Sequence, residues 1–128
     1  MRTLTLLSLS LATLLAGCAG TGMAPVETRS GALTNPAGMT LYVFDKDVAG
    51  SGKSVCNGDC AVKWPPLAAA SGAGAGAGAG GDYSAIKRDD GSSQWAYKGK
   101  PLYLWFKDQK PGDMTGDGVN NVWHVARP

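Results

Sequence analysis

The stretch Gly38-Met39-Thr40-Leu41-Tyr42-Val43-Phe44-Asp45-Lys46-Asp47 returns without a gap 61 residues later as Gly99-Lys100-Pro101-Leu102-Tyr103-Leu104-Trp105-Phe106-Lys107-Asp108. Gly, Leu, Tyr, Lys and Asp are identical, and Phe44 is matched by the aromatic Trp105. Leu41 and Val43 alternate with Tyr42 and Phe44, which predicts a strand over 39–44 with two apolar faces and a central place in a sheet. The second copy predicts a strand over 101–106. Each copy is followed by an irregular stretch and then a tryptophan, Trp64 in the first and Trp123 in the second. Two copies are too few for a solenoid. The simpler reading is a pseudo-twofold β unit whose repeats pack their aromatic strands together.

Working outward, Gly31–Thr34 is a weaker strand candidate, followed by the turn Asn35-Pro36-Ala37-Gly38. Residues 45–63 are irregular, with a helical turn expected around 61–64 that Pro65-Pro66 would stop. Asp89-Asp90-Gly91 is a hairpin turn between strands expected at 83–88 and 92–97. Residues 107–121 read as a Gly/Asp-rich loop and 122–126 as a last strand. This succession of hairpins predicts a mostly β fold, a β-meander with little helix, in one small domain of two pseudo-symmetric repeats. The expected bounds are 31–128 for the domain, 31–67 for repeat 1 and 82–128 for repeat 2. Between the repeats, an Ala/Gly-rich insert at 68–81 is too poor in large side chains to bury much surface.

The N-terminus carries a different kind of signal. Arg2 precedes an apolar run from Leu4 to Ala16. At about 1.5 Å per residue it makes roughly 20 Å of helix, short of a hydrocarbon core of about 30 Å. It therefore suits the apolar region of a cleaved signal peptide, residues 1–17. Leu15-Ala16-Gly17-Cys18 resembles the lipobox of bacterial lipoprotein signals, which implies a lipid thioether on Cys18 and cleavage before it. Residues 18–30 then read as the lipidated cysteine and a flexible tether. Ala19, where lipoproteins retained in the inner membrane typically carry Asp, favours the outer membrane in a Gram-negative cell. The expected address is the cell envelope, with the membrane as a partner through Cys18.

Removing the signal leaves 111 residues, and loss of Arg2 lowers the formal charge from +2 to +1. The remaining charges are interspersed, with no stripe that would suggest nucleic acid. Three cysteines are an odd number for an exported chain. With Cys18 acylated, Cys56 and Cys60 remain as a pair in an oxidising compartment, and a disulfide is the favoured reading.

The motifs together resemble the bacterial lipoproteins described as a secreted repeat of unknown function, defined by tandem Tyr-x4-Asp motifs, or Tyr-x-aromatic-x-x-Asp. Tyr42, Phe44 and Asp47 fit it once, and Tyr103, Trp105 and Asp108 fit it again. Cys56-Asn57-Gly58-Asp59-Cys60-Ala61 leading to Trp64-Pro65-Pro66-Leu67 is also similar, as are Gln94-Trp95 and Trp123-His124-Val125. The resemblance covers nearly all of 31–128 apart from the insert. It implies an envelope address and brings no activity with it.

Asp47 and Asp108 each follow a strand, where a carboxylate commonly accepts backbone N–H bonds from the next loop. Tyr42 and Tyr103 read as core aromatics. Pairing the two carboxylates as acid and base would need a pocket and a nucleophile that no motif supplies. Cys56, Cys60 and the single histidine, His124, are candidate copper or zinc ligands, with Met39 or Met114 as a thioether. Sco-type copper chaperones also combine Cys-x3-Cys with a distant His, on a thioredoxin-like fold whose βαβ units this chain lacks. Asp113-Met114-Thr115-Gly116-Asp117-Gly118 superficially resembles a calcium loop, but its twelfth position is His124 in place of Glu. The expectation is a non-enzymatic binding or structural module with no cofactor, meeting an unknown envelope protein or ligand. The alternative is a periplasmic metal-binding or redox module.

Overall fold

The computed structural model describes residues 24–70 and 81–128. In chain order the elements are β1 (Glu27–Arg29), β2 (Ala32–Thr34), β3 (Tyr42–Phe44), α1 (Asp59–Lys63), β4 (Ala68–Ala69), β5 (Tyr83–Lys87), β6 (Ser93–Tyr97), β7 (Lys100–Pro101) and β8 (Trp123–Val125). A 3-10 turn, Val119–Asn121, precedes β8. β1 pairs with β2, β3 with β8, and β6 with β4, β5 and β7, all antiparallel. The fold is mostly β and built from two repeats.

Two tight turns set the hairpin registers. Ser30-Gly31 and Lys98-Gly99 both have positive φ at each central residue, the twist of a type I′ turn. They close Arg29 on Ala32 and Tyr97 on Lys100. Asp89-Asp90-Gly91 turns β5 into β6, with the Arg88 N–H donating to the Ser92 carbonyl at 2.8 Å.

The repeats superimpose in their hydrogen bonding as well as in their sequence. In the first, Leu33 N–H donates to Ala126, Leu41 to Leu33 and Ala126 to Leu41, at 2.8–2.9 Å. In the second, Trp95 donates to Leu67, Leu102 to Trp95 and Leu67 to Leu102, at the same distances. Thus Leu33 corresponds to Trp95, Leu41 to Leu102 and Ala126 to Leu67. Those six side chains form one buried cluster. The pseudo-axis passes between Tyr42 and Tyr103, whose backbones exchange both N–H···O bonds, at 2.8 and 3.0 Å.

Several elements differ from their sequence-based bounds. The strand expected at 39–44 is regular only over 42–44, with a single bridge from Thr40 to Thr34. The strand expected at 101–106 breaks after Pro101, although Leu102, Leu104 and Phe106 still exchange bonds with Lys63–Leu67. The cause is chemical: Pro65 and Pro66 face this segment with carbonyls but no N–H, so a regular ladder cannot form. The helical turn lies at Asp59–Lys63, slightly earlier than expected. The tether expected over 18–30 gives way to structure by its end. Glu27–Arg29 is a strand, and Ala24 and Val26 pack on the Leu33 cluster. Likewise Ala68–Ala69, placed at the start of the insert, pairs with β6. The signal peptide expected at 1–17, Cys18 and most of the Ala/Gly run lie outside the described residues.

Candidate functional site

The site begins with the two repeated tyrosines, both fully buried. Each phenol crosses the pseudo-axis and donates to the aspartate of the other repeat. Tyr42 Oη donates to Asp108 Oδ2 at 2.6 Å, and Tyr103 Oη to Asp47 Oδ2 at 2.5 Å. The second oxygen of each carboxylate holds the loop that follows it. Asp47 Oδ1 accepts the Val55 N–H at 2.8 Å, and Asp108 Oδ1 accepts the Thr115 N–H at 3.0 Å and the Thr115 hydroxyl at 2.6 Å. Each aspartate therefore closes its own loop and clamps the opposite repeat.

Burial in this low-dielectric setting holds both phenols neutral. Desolvation first, and the partner carboxylate second, raise the Tyr42 and Tyr103 pKa values well above the usual tyrosine range. Asp47 is raised too, by burial, against the opposing effects of the Tyr103 bond, the Val55 N–H and the charge of Arg88.

The repeats differ around the phenol oxygens. Tyr42 Oη accepts the Gly116 N–H at 3.3 Å, whereas the Ser54 hydroxyl donates to Tyr103 Oη at 2.6 Å. Behind Ser54 stands Arg88, a guanidinium only 5% exposed. It donates to Ser54 Oγ, Gln94 Oε1, the Cys56 carbonyl and Asn57 Oδ1. A buried charge needs such partners, because an unpaired one is strongly destabilising. Arg88 and Ser54 carried no motif in the sequence, and Gln94 stood out there only within the family-like pair Gln94-Trp95. The one available signal was a charged residue placed immediately before the hairpin turn.

Four aromatic rings stack beside the clamp. Phe44 lies on Trp123 (4.1 Å, 6°), Trp123 on Trp64 (3.7 Å, 5°) and Trp64 on Trp105 (3.9 Å, 29°). Phe44 and Trp105 are equivalent repeat positions, as are Trp64 and Trp123, so the stack is itself symmetric about the pseudo-axis. Tyr42 meets Trp64 edge-on, and Tyr103 meets Trp123 in the same way. Gly116 is required here by close approach: a Cβ on it would come within 2.9 Å of Trp105 Cγ and Trp64 Cη2. Among the described residues, the buried Trp105 indole N–H and the Thr34 hydroxyl have no hydrogen-bond partner.

Cys56 and Cys60 form a disulfide, with Cys56 buried in the aromatic cluster and Cys60 packed against it. His124 does not join them. It occupies the β8 position between Trp123 and Val125, so its side chain points to the other face of the strand, where Nε2 lies 2.7 Å from Asp45 Oδ2. Met114 packs on the aromatic core, and the Met39 N–H bonds Asn35 Oδ1. Among the described residues no three His, Cys, Asp or Glu side chains gather as a metal site. In the loop that resembles a calcium site, Asp113 Oδ2 accepts the Gln109 and Lys110 N–H groups, and Asp117 Oδ1 accepts the Val125 N–H. Thr115 is bound to Asp108. These side chains tie the loop to the fold.

The clamp and the stack define a two-repeat β protein whose motif residues are spent on joining the halves. The family model described as "Secreted repeat of unknown function" matches twice, over residues 25–68 and 84–127, and the chain belongs to this family. No curated protein and no solved structure matches the chain.

Proposed function

We propose that this protein is a non-enzymatic module of the cell envelope, anchored by a lipid on Cys18, that acts by binding or as a structural part. The observation that carries this reading is the engagement of the motif itself. Both tyrosines and both aspartates are consumed by the reciprocal clamp and by closing their own loops. The motif thus serves to assemble the domain, and contacts with other molecules fall to the surface around it. The secreted family supports a location outside the cytoplasm, where an intramolecular disulfide is at home. The lipobox-like Leu15-Ala16-Gly17-Cys18 supports the anchor, and Ala19 supports the outer membrane in a Gram-negative host.

Two experiments test it. A Cys18→Ala precursor should lose lipid labelling and membrane retention; unchanged retention would refute the anchor. An Asp47→Asn/Asp108→Asn variant that remains folded should restore whatever a deletion of the gene disturbs. Folded protein that fails to do so would give the carboxylates a chemical role and overturn the non-enzymatic reading.

A further inference from the structure

The two repeats share the clamp and the aromatic stack, and their surfaces diverge. The outer face of the β3–β8 pair, facing the β6–β7 turn, forms a cleft of about 330 Å³. Val43 and the Tyr97 ring contribute apolar surface to it, and Lys98, Lys100 and Arg127 contribute three cations. Among the described residues its only carboxylate is Asp45, which is engaged with His124. With His124 neutral, this lining carries a formal charge of +2. That exceeds the +1 formal charge of the chain without residues 1–17, so the remaining residues of the mature chain sum to −1.

The repeat correspondence shows that this cleft is not a by-product of the duplicated fold. The positions equivalent to Lys98, Lys100 and Arg127 are Ala37, Met39 and Ala68, and those equivalent to Asp45 and His124 are Phe106 and Pro65. The core positions Leu41/Leu102, Tyr42/Tyr103 and Asp47/Asp108 are identical. Every charged group of the cleft is therefore peculiar to one side of the molecule. The cations also retain unused donors. Arg127 Nη1 donates to the Gly31 carbonyl at 3.2 Å, leaving the rest of its fork, and Lys98 Nζ stands 5.2 Å from the centre of the Tyr97 ring.

We infer that this cleft binds an amphiphilic anion, a phosphate monoester carrying an apolar tail. The dianionic head matches the +2 lining and the Arg127 fork, and the tail lies along Val43 and the Tyr97 ring. This deepens the binding-module reading and rests on it.

The test is titration of the purified mature protein with hexyl phosphate, inorganic phosphate and hexanol, followed by calorimetry and by amide NMR shifts. Hexyl phosphate should bind saturably, at least tenfold more tightly than either of the others, with shifts centred on Val43, Lys98, His124 and Ala126. Lys98→Asn/Lys100→Gln/Arg127→Gln should weaken it tenfold or more; Asn suits the positive φ of position 98. Lys46→Gln/Lys107→Gln/Lys110→Gln removes the same charge outside the cleft and should change the affinity less than twofold. Equal weakening by both variants, inorganic phosphate binding as tightly, or no saturable binding of hexyl phosphate would each overturn the inference. The binding data decide this point alone, whereas the non-enzymatic reading stands or falls on complementation by the aspartate variant.

Discussion

Tyr42 and Asp108 lie 66 positions apart in the chain, and their side chains meet at 2.6 Å inside the core. Tyr103 and Asp47 repeat the contact from the other side. The family motif is written as a tyrosine and an aspartate a few residues apart, yet its working pairs come from different repeats. Neither repeat can satisfy its own motif by this contact. A single copy would leave a buried phenol and a buried carboxylate short of a partner, which explains physically why the motif occurs in tandem.

Removing one phenol should therefore destabilise the whole domain. Tyr42→Phe or Tyr103→Phe deletes a bond to a charged acceptor and should cost about 1.5–3 kcal/mol in urea unfolding. Tyr103→Phe should be the costlier of the two, because it also strips the Ser54 hydroxyl of its acceptor beside buried Arg88.

Alkali should unfold the protein through the same groups. Burial and the facing carboxylates raise both phenol pKa values in the folded state, whereas unfolded tyrosine ionises near 10. Their contribution is fully present below about pH 10 and is lost as the pH rises above it, at about 2.7 kcal/mol per pH unit for two phenols. Unfolding free energies across this range should fall at least that steeply, because burial raises Tyr83 as well, and Tyr42→Phe should remove about 1.4 kcal/mol per pH unit of the slope. Phenolate absorbance from Tyr42 and Tyr103 should appear only with unfolding.

Asp47 gives a site-specific reading of the clamp. Its pKa is raised by burial and restrained by the Tyr103 bond and Arg88. A raised carboxylate favours the fold at acid pH, and that contribution is lost as pH rises through the folded-state value. Carboxyl carbon NMR should place Asp47 above ordinary aspartate, and Tyr103→Phe should move it higher still.

The aromatic stack leaves no room for added volume. Gly116→Ala would push a methyl against Trp64 and Trp105, and overpacking of this kind costs about 1–3 kcal/mol. Thermal unfolding should show the loss, together with a change in the near-ultraviolet dichroism of the stacked indoles.

The disulfide should make a contribution of similar size and stay dispensable for folding. It closes a very short ring, for which chain entropy gives about 2 kcal/mol. Cys56→Ala/Cys60→Ala should fold, with a lower urea midpoint and the same slope. Failure to fold would show that the loop from 54 to 60 depends on the link more than its size allows.

Much of this arrangement was legible in the sequence because the repeat is gapless across the residues that matter. The match of Tyr42 to Tyr103 and of Asp47 to Asp108 announced a pseudo-twofold β unit, and the hairpin around Gly91 followed from its turn residues. The exchange of partners was not legible. Sequence spacing reports neighbours along one chain, whereas the phenols bond across an axis that exists only after folding. The broken strand after Pro101 depended on Pro65 and Pro66 lying opposite, which is a tertiary fact. Arg88 was hidden for a similar reason: a guanidinium at a strand end ordinarily faces water, and only the convergence of Ser54, Gln94 and the Cys56 carbonyl draws it inside. The strand at Glu27–Arg29 escaped notice because its residues are polar and exposed and it is held by pairing with β2.

Double-mutant cycles between the repeats test the exchanged clamp most directly. One cycle combines Tyr42→Phe with Asp108→Asn, the pair in contact, and the other combines Tyr42→Phe with Asp47→Asn, the pair within one motif. The first should show a coupling of about 1–3 kcal/mol and the second no more than about 0.5 kcal/mol. Strong coupling within the motif, with none between Tyr42 and Asp108, would contradict the account.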